Sequence, residues 1–167
     1  MNKCLILLIA LLNSATLTGQ SDRSQENHPS KTIPGAARFE LYLPMLLQKR
    51  VAIFANHTTM VNDVHLVDAL KKRGIRIVKI FAPEHGFRGT ADAGEKIDNT
   101  VDAQTGIPVI SLYGKKRKPS DDELKDVDIM VFDIQDVGVR FYTYISSLQE
   151  YMQAAIKDVK PLNIPDR

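Results

Sequence analysis

IRIVKIFAPEHG, residues 75 to 86, decides how this chain is read. Its first eight residues are a near-continuous apolar run rich in β-branched side chains, the composition of a strand buried on both faces. Its last four are Pro-Glu-His-Gly. The strand leads straight into an acid, an imidazole and, at Arg88, a guanidinium, all within five residues. A loop that only turned the chain would need none of them. Pro83 stiffens the strand exit, and Gly86 and Gly89 let the backbone turn tightly.

Working outward, similar apolar runs stand at 51–56 (VAIFAN), 107–114 (IPVISLYG) and 127–135 (VDIMVFDIQ). Helical spacing lies between and around them. Residues 36–48 carry Phe39, Tyr42, Leu43, Leu46 and Leu47 in register, with Pro44 as a break or kink. Residues 63–74 carry Val64, Val67 and Leu70 and stop at Gly74. Ser120 and Glu123 have the spacing of a capping box for a short helix. Residues 143–158 place Ile145, Leu148, Tyr151, Met152 and Ala155 on one face. PLNIPDR, at 161–167, begins like a fifth strand. Strands alternating with helices predict an α/β domain, a parallel sheet covered on both faces.

Composition sets the bounds. The chain has 167 residues, 44% hydrophobic and 25% charged, which suits one globular core. A net charge of +2 is too small to argue for nucleic acid. The basic run Lys115-Lys116-Arg117-Lys118 has no interleaved aromatics and reads as a solvated loop. Residues 1–20 have the layout of a cleavable secretory signal: Lys3, an apolar run from Leu5 to Leu12, then small and polar residues up to a cut near Gly19 or Gln20. That run is far shorter than the roughly 20 residues of a membrane-spanning helix. The single cysteine, Cys4, precedes the run and is badly placed for a lipid anchor. Export without disulfides then requires a real hydrophobic core. Residues 21–34 are polar and read as a disordered lead-in to a domain spanning 35–167.

Ligands of an open parallel sheet sit beyond the carboxyl ends of its strands. The first strand is followed by Asn56, His57, Thr58 and Thr59; the second by Glu84, His85 and Arg88; the third by Tyr113 and Gly114. The fourth ends in Asp133, Gln135, Asp136 and Arg140, then Tyr142 and Tyr144. The opposite edge offers Lys49, Arg50, Gly74, Gly106 and Lys125, which look like surface and turn residues. Reactive groups thus converge on one edge. Glu84 at a partly dry edge suits a general acid; alternatively it pairs with Arg88 or His85 to hold the loop. Asp133 can equally be a buried acceptor of backbone N–H bonds, with Phe141 and one tyrosine in the core. His85 has no second histidine at ligand spacing, so no metal is expected. No G-x-G-x-x-G or Walker pattern follows the first strand, and no serine elbow is present, so no nucleotide cofactor is expected.

Taken in order, GAARFELYLPMLLQKRVAIFANHT, IFAPEHGFRG, AGE, TGIPVISLYG and VDIMVFDIQDVGVRFYTYISSLQEYMQAA resemble the bacterial exo-β-N-acetylmuramidase (NamZ) family over about residues 35 to 167. The resemblance implies a Rossmann-like N-terminal domain, with the cleft shared with a smaller C-terminal domain. It implies a glycosidase that releases N-acetylmuramic acid from the non-reducing ends of peptidoglycan fragments. Glu84 would be the acid/base. Asp133 or Asp136 would steady the oxocarbenium-like transition state or polarise the 2-acetamido group. His85 and Arg88 would orient Glu84 or bind the lactyl carboxylate. Asn56, Gln135, Arg140, Tyr142 and Tyr144 complete the substrate contacts. Two departures stand out. His57 replaces the family's usual Gln, and the end reads Ile-Pro-Asp-Arg where the family continues through Leu-Asp-Arg-Pro-Asn-Pro. The chain is therefore expected to be a truncated member, its sheet incomplete at the C-terminus. The alternative to an enzyme is a non-catalytic module that binds cell-wall sugar or muropeptide.

Overall fold

The computed structural model describes residues 32–89 and 98–165. The expected signal segment, most of the lead-in, the Ala93-Gly94-Glu95 motif and the last two residues lie outside them.

Within that range the elements are α1 (Phe39–Leu46), β1 (Arg50–Ala55), β2 (Met60–Val61), β3 (Val64–His65), α2 (Leu66–Lys72), β4 (Arg76–Ala82), β5 (Thr100–Val101), β6 (Pro108–Ser111), α3 (Asp121–Leu124), β7 (Ile129–Asp133), α4 (Tyr144–Lys157) and β8 (Leu162–Asn163). One sheet runs β5-β6-β4-β1-β7-β8, and β2 with β3 forms a separate hairpin. The five strands from β6 to β8 are parallel, and β5 pairs antiparallel with β6. The fold is α/β as the alternation predicts, though the sheet is mixed. Both residues of β5 are exposed, so no apolar run announced it.

Alternating strand residues feed two cores. Val51, Ile53 and Ala55 of β1 pack with Leu46 of α1 and Leu66, Val67 and Leu70 of α2. Ala52 and Phe54 pack on the other face with Leu124 of α3 and Tyr151, Ala154 and Ala155 of α4. The β1–β4 register slips once, between Val51 opposite Ile77 and Ala52 opposite Lys79. The skipped residue, Val78, is a bulge that keeps Ile53 opposite Ile80 and Phe54 opposite Phe81.

Two boundaries and one buried face differ from the sequence pattern. The helix expected from 63 starts at Leu66, because Val64–His65 pairs with Met60–Val61 across a tight turn in which Asn62 has φ 53°. His65 then caps the helix, its ring nitrogen accepting from Val67 N–H at 3.3 Å. The third strand ends at Ser111 as the chain approaches Gly114, whose φ is 80°. On α4 the buried stripe is Tyr144, Tyr151, Ala154 and Ala155, while Ile145 and Met152 are exposed. Pro44 lies inside α1, which ends two residues later. The Ser120–Glu123 capping box forms as its spacing predicts.

Candidate active site

β1 sits between β4 and β7, and strand order reverses beside it, the place where open α/β sheets form their crevice. The carboxyl ends of these strands bring Asn56, Glu84 and Asp133 to one edge. Glu84 and Asp133 leave strands separated by one strand, roughly 10 Å between backbones. The opposite edge is structural: Arg50 grips Asp128 through its backbone N–H and two guanidinium nitrogens at 2.7–3.1 Å. That contact holds the Asp128 carboxyl far below its ordinary value.

Glu84 sits in a four-residue turn closed by Gly86 N–H donating to Pro83 C=O at 3.1 Å. The third turn residue is His85, with φ 68°. That position of a type II turn calls for positive φ and normally takes glycine or asparagine. A histidine there stores local strain, of order 1–3 kcal/mol. The turn presents Glu84, half-buried, to an open cavity of about 980 Å³. Tyr113, at the exit of β6, donates its hydroxyl to Glu84 Oε1 at 2.9 Å. Through that bond the carboxylate raises the Tyr113 phenol above its ordinary pKa. Lys115 and Arg117 line the same cavity, as do Ser147 and Glu150 of α4.

Behind this wall Tyr144 is buried, and burial raises its phenol. The Asn56 amide pulls the other way, and the charges of Tyr142 and Glu84 add to the rise. Asn56 is fully buried. Its Oδ1 accepts from Thr58 N–H at 2.9 Å and Thr58 Oγ1 at 2.7 Å. Its amide nitrogen has no partner at hydrogen-bond geometry, although it lies close enough to act on Tyr144. Asn56, Glu84, Tyr142 and Tyr144 are thus brought together on the α4 side.

Arg88 is not with them. Its guanidinium forks Asp68 at 2.9 and 3.0 Å and Asp102 at 3.0 and 3.1 Å, so all three nitrogens are engaged. Asp102 also accepts from Thr105 N–H and Oγ1. Burial lifts the Asp102 carboxyl, but Arg88 and Thr105 outweigh it and hold the group below its usual range. These bonds fasten the loop to α2 and to the 102–107 turn. Asp133 also turns away. It follows Val131 in the alternation, facing the α2 side, is fully buried, and acts electrostatically on His65 there. Thr59 Oγ1 donates to its backbone carbonyl. Asp136, exposed, accepts from Gly138 N–H at 2.9 Å, and Gln135 donates to the Asp136 carbonyl at 3.0 Å. Arg140 is exposed on the same loop. The carboxylates that do share the cavity with Glu84 are Asp98 and Glu150.

Sequence reasoning passed over Tyr113 as a site residue, though it stood at a strand exit. It also read Lys115 and Arg117 as plain solvated loop. Of the alternative reading of the cluster after the fourth strand, Asp133 and Tyr144 are buried, whereas Phe141 is 83% exposed. Among the described residues, no group of three or more His, Cys, Asp or Glu could hold a metal ion, and no helix is long and apolar enough to cross a membrane.

Residues 51–167 match the family model described as exo-beta-N-acetylmuramidase NamZ, N-terminal. The chain belongs to this family. The peptidoglycan beta-N-acetylmuramidase NamZ of Bacillus subtilis (strain 168) is 42% identical over 130 residues, covering 75% of this chain and 31% of the relative. Two solved DUF1343 family proteins from Bacteroides fragilis superpose with TM-scores of 0.69 and 0.72 at 45% and 38% identity. They cover 81% and 80% of this chain, and the chain covers 34% of each. This NamZ-family chain therefore spans about a third of the length of the relatives it matches.

Proposed function

We propose that this chain carries the catalytic acid of a peptidoglycan-degrading exo-β-N-acetylmuramidase, exported by its N-terminal segment and acting on non-reducing ends of muropeptides. One observation carries the reading: Glu84 stands at the carboxyl edge of the sheet, in the wall of a sugar-sized cavity, with Tyr113 hydrogen-bonded to it. The carboxylic acid would protonate the glycosidic oxygen as the bond to the muramic acid C1 breaks. Tyr113 fixes the rotamer from which it does so. Tyr142, half-exposed above Tyr144, would offer its ring to the sugar.

Family kinship and the named activity of the Bacillus subtilis relative support this reading. The test is release of chromophore from a chromogenic N-acetylmuramide by the 167-residue chain. Glu84→Gln should lower the rate by roughly 10²- to 10⁴-fold, the usual weight of general acid catalysis. Asp98→Asn and Glu150→Gln are the companion variants for a second carboxylate. Release that Glu84→Gln leaves intact, or no release at all, rejects the enzyme reading for this chain. Saturable binding without release points to a sugar-binding module.

A further inference from the structure

The basic run at 115–118 is not uniformly solvated. Lys116 pairs with Glu123, the acid of the α3 capping box, and Lys118 lies 3.9 Å from Glu150 of α4. These two lysines tie the loop to α3 and α4. The alternate residues behave differently. Lys115 is exposed and has no carboxylate partner among the described residues; Arg117 is exposed and donates only a long 3.5 Å bond from Nε to Gly114 C=O. Both line the cavity that holds Glu84. Two cations of the run are thus paired, and the two without a carboxylate line the cavity beside Lys116, Asp98 and Glu150. Arg88, the cation closest to Glu84 in sequence, is committed to Asp68 and Asp102.

We propose that Lys115 and Arg117 form an anion subsite that receives the carboxylate borne by the substituent of the sugar, and so select an acidic over a neutral N-acetylhexosamine. The subsite rests on the glycosidase reading only for the identity of the sugar. Its physical basis is independent. A carboxylate held by an ammonium and a guanidinium gains charge-assisted hydrogen bonds about twice as strong as neutral ones. The guanidinium can grip both oxygens, whereas the ammonium acts as a point charge. Because the pair is exposed, its selectivity falls as salt rises.

The experiment measures binding of N-acetylmuramic acid and of N-acetylglucosamine, which lacks the lactyl carboxylate, to the full chain by titration calorimetry or NMR. The acidic sugar should bind about tenfold more tightly at low salt. Lys115→Ala with Arg117→Ala should remove the preference and leave N-acetylglucosamine affinity unchanged, a readout that a misfolded variant would fail. Arg117→Lys should keep part of the preference. A preference that survives both substitutions, equal affinity for the two sugars, or binding of neither overturns the subsite. Loss of hydrolysis with the preference intact overturns the enzyme reading and leaves the subsite standing.

Discussion

On the α2 side of the rim, Arg88 engages two carboxylates with three nitrogens, and His65 satisfies both ring nitrogens, one against Val67 N–H and one against Asn56 C=O at 2.9 Å. On the α4 side, Lys115 and Arg117 meet no carboxylate among the described residues, and Glu84, held by Tyr113, faces an open cavity. The same sheet edge thus carries one face whose charged groups are matched within the protein and one that opens on a cavity lined by those two cations. A matched network fixes geometry, and removing one member strands the others. Exposed cations without a carboxylate add little to stability and are available to a ligand. The comparison yields a rule that can fail: substitutions on the first face should lower stability first, and substitutions on the second should lower activity or binding with the fold intact.

Arg88→Ala should show the largest stability effect. It strands Asp102, whose side chain is 6% exposed, and frees the loop that carries Glu84. Breaking such a pair costs about 3 kcal/mol. Thermal unfolding should report it, with Arg88→Lys falling between because an ammonium cannot fork two carboxylates. An unchanged melting temperature with weakened sugar binding would move Arg88 to the other face and break the comparison.

Gly89 should come next. It has φ 69°, and a Cβ there would lie 2.8 Å from the His57 Cβ and 2.9 Å from its Cγ. Gly89→Ala should cost about 2 kcal/mol, roughly half from the left-handed backbone and half from the clash. In a His57→Gly background only the backbone part should remain, so the two sites should couple by about 1 kcal/mol. Denaturant melts of the four proteins in the cycle would measure it, and strict additivity would remove His57 from the matched face. His57, at the exit of β1, thereby acquires a packing role.

These expectations also show what the sequence could and could not say. Apolar runs announced all four long strands, and the Ser120–Glu123 spacing announced its helix, because each signal is local. The rim was legible as well, since the end of a strand is written in the chain. Which face of the rim a residue joins was not. Asp133 and Asn56 both end buried strands, yet alternation sends the first toward His65 and leaves the second beside Tyr144. The partners of Arg88 come from 20 residues before it and 14 after, so nothing in APEHGFRG marks that arginine as engaged. Lys115 and Arg117 looked like their neighbours until Glu123 and Glu150 claimed the alternate lysines.

Tyr113→Phe tests the face that opens on the cavity. It deletes the hydrogen bond to Glu84 and little packing, since Tyr113 is only half-buried. Stability should hold within about 0.5 kcal/mol, as for most surface substitutions. Turnover of a chromogenic muramide should fall about tenfold as the acid loses its fixed rotamer, a change in kcat more than in KM. A stability loss with unchanged turnover would show that Tyr113 serves the fold.

The smallest expected effect belongs to His65. Burial lowers its pKa first; the Asn56 carbonyl opposes that, Arg88 adds to the lowering, and Asp68 and Asp133 resist it. The ring is therefore neutral in the folded protein, with Nδ1 accepting from Val67 N–H and the proton on Nε2 directed at Asn56 C=O. A histidine whose folded pKa is depressed contributes stability above its unfolded value, near 6.5. That stability is lost as pH falls through the folded value, because the unfolded chain takes up the proton first. One proton limits the slope to about 1.4 kcal/mol per pH unit. Asp102 and Asp128, also depressed, lose their contributions only below about pH 4, so the two windows separate. Urea melts between pH 7 and 5 should show the histidine's slope in the parent chain and its absence in His65→Gln. A slope that persists in His65→Gln would mean that another group on the matched face exchanges the proton, and that this face is less closed than its hydrogen bonds indicate.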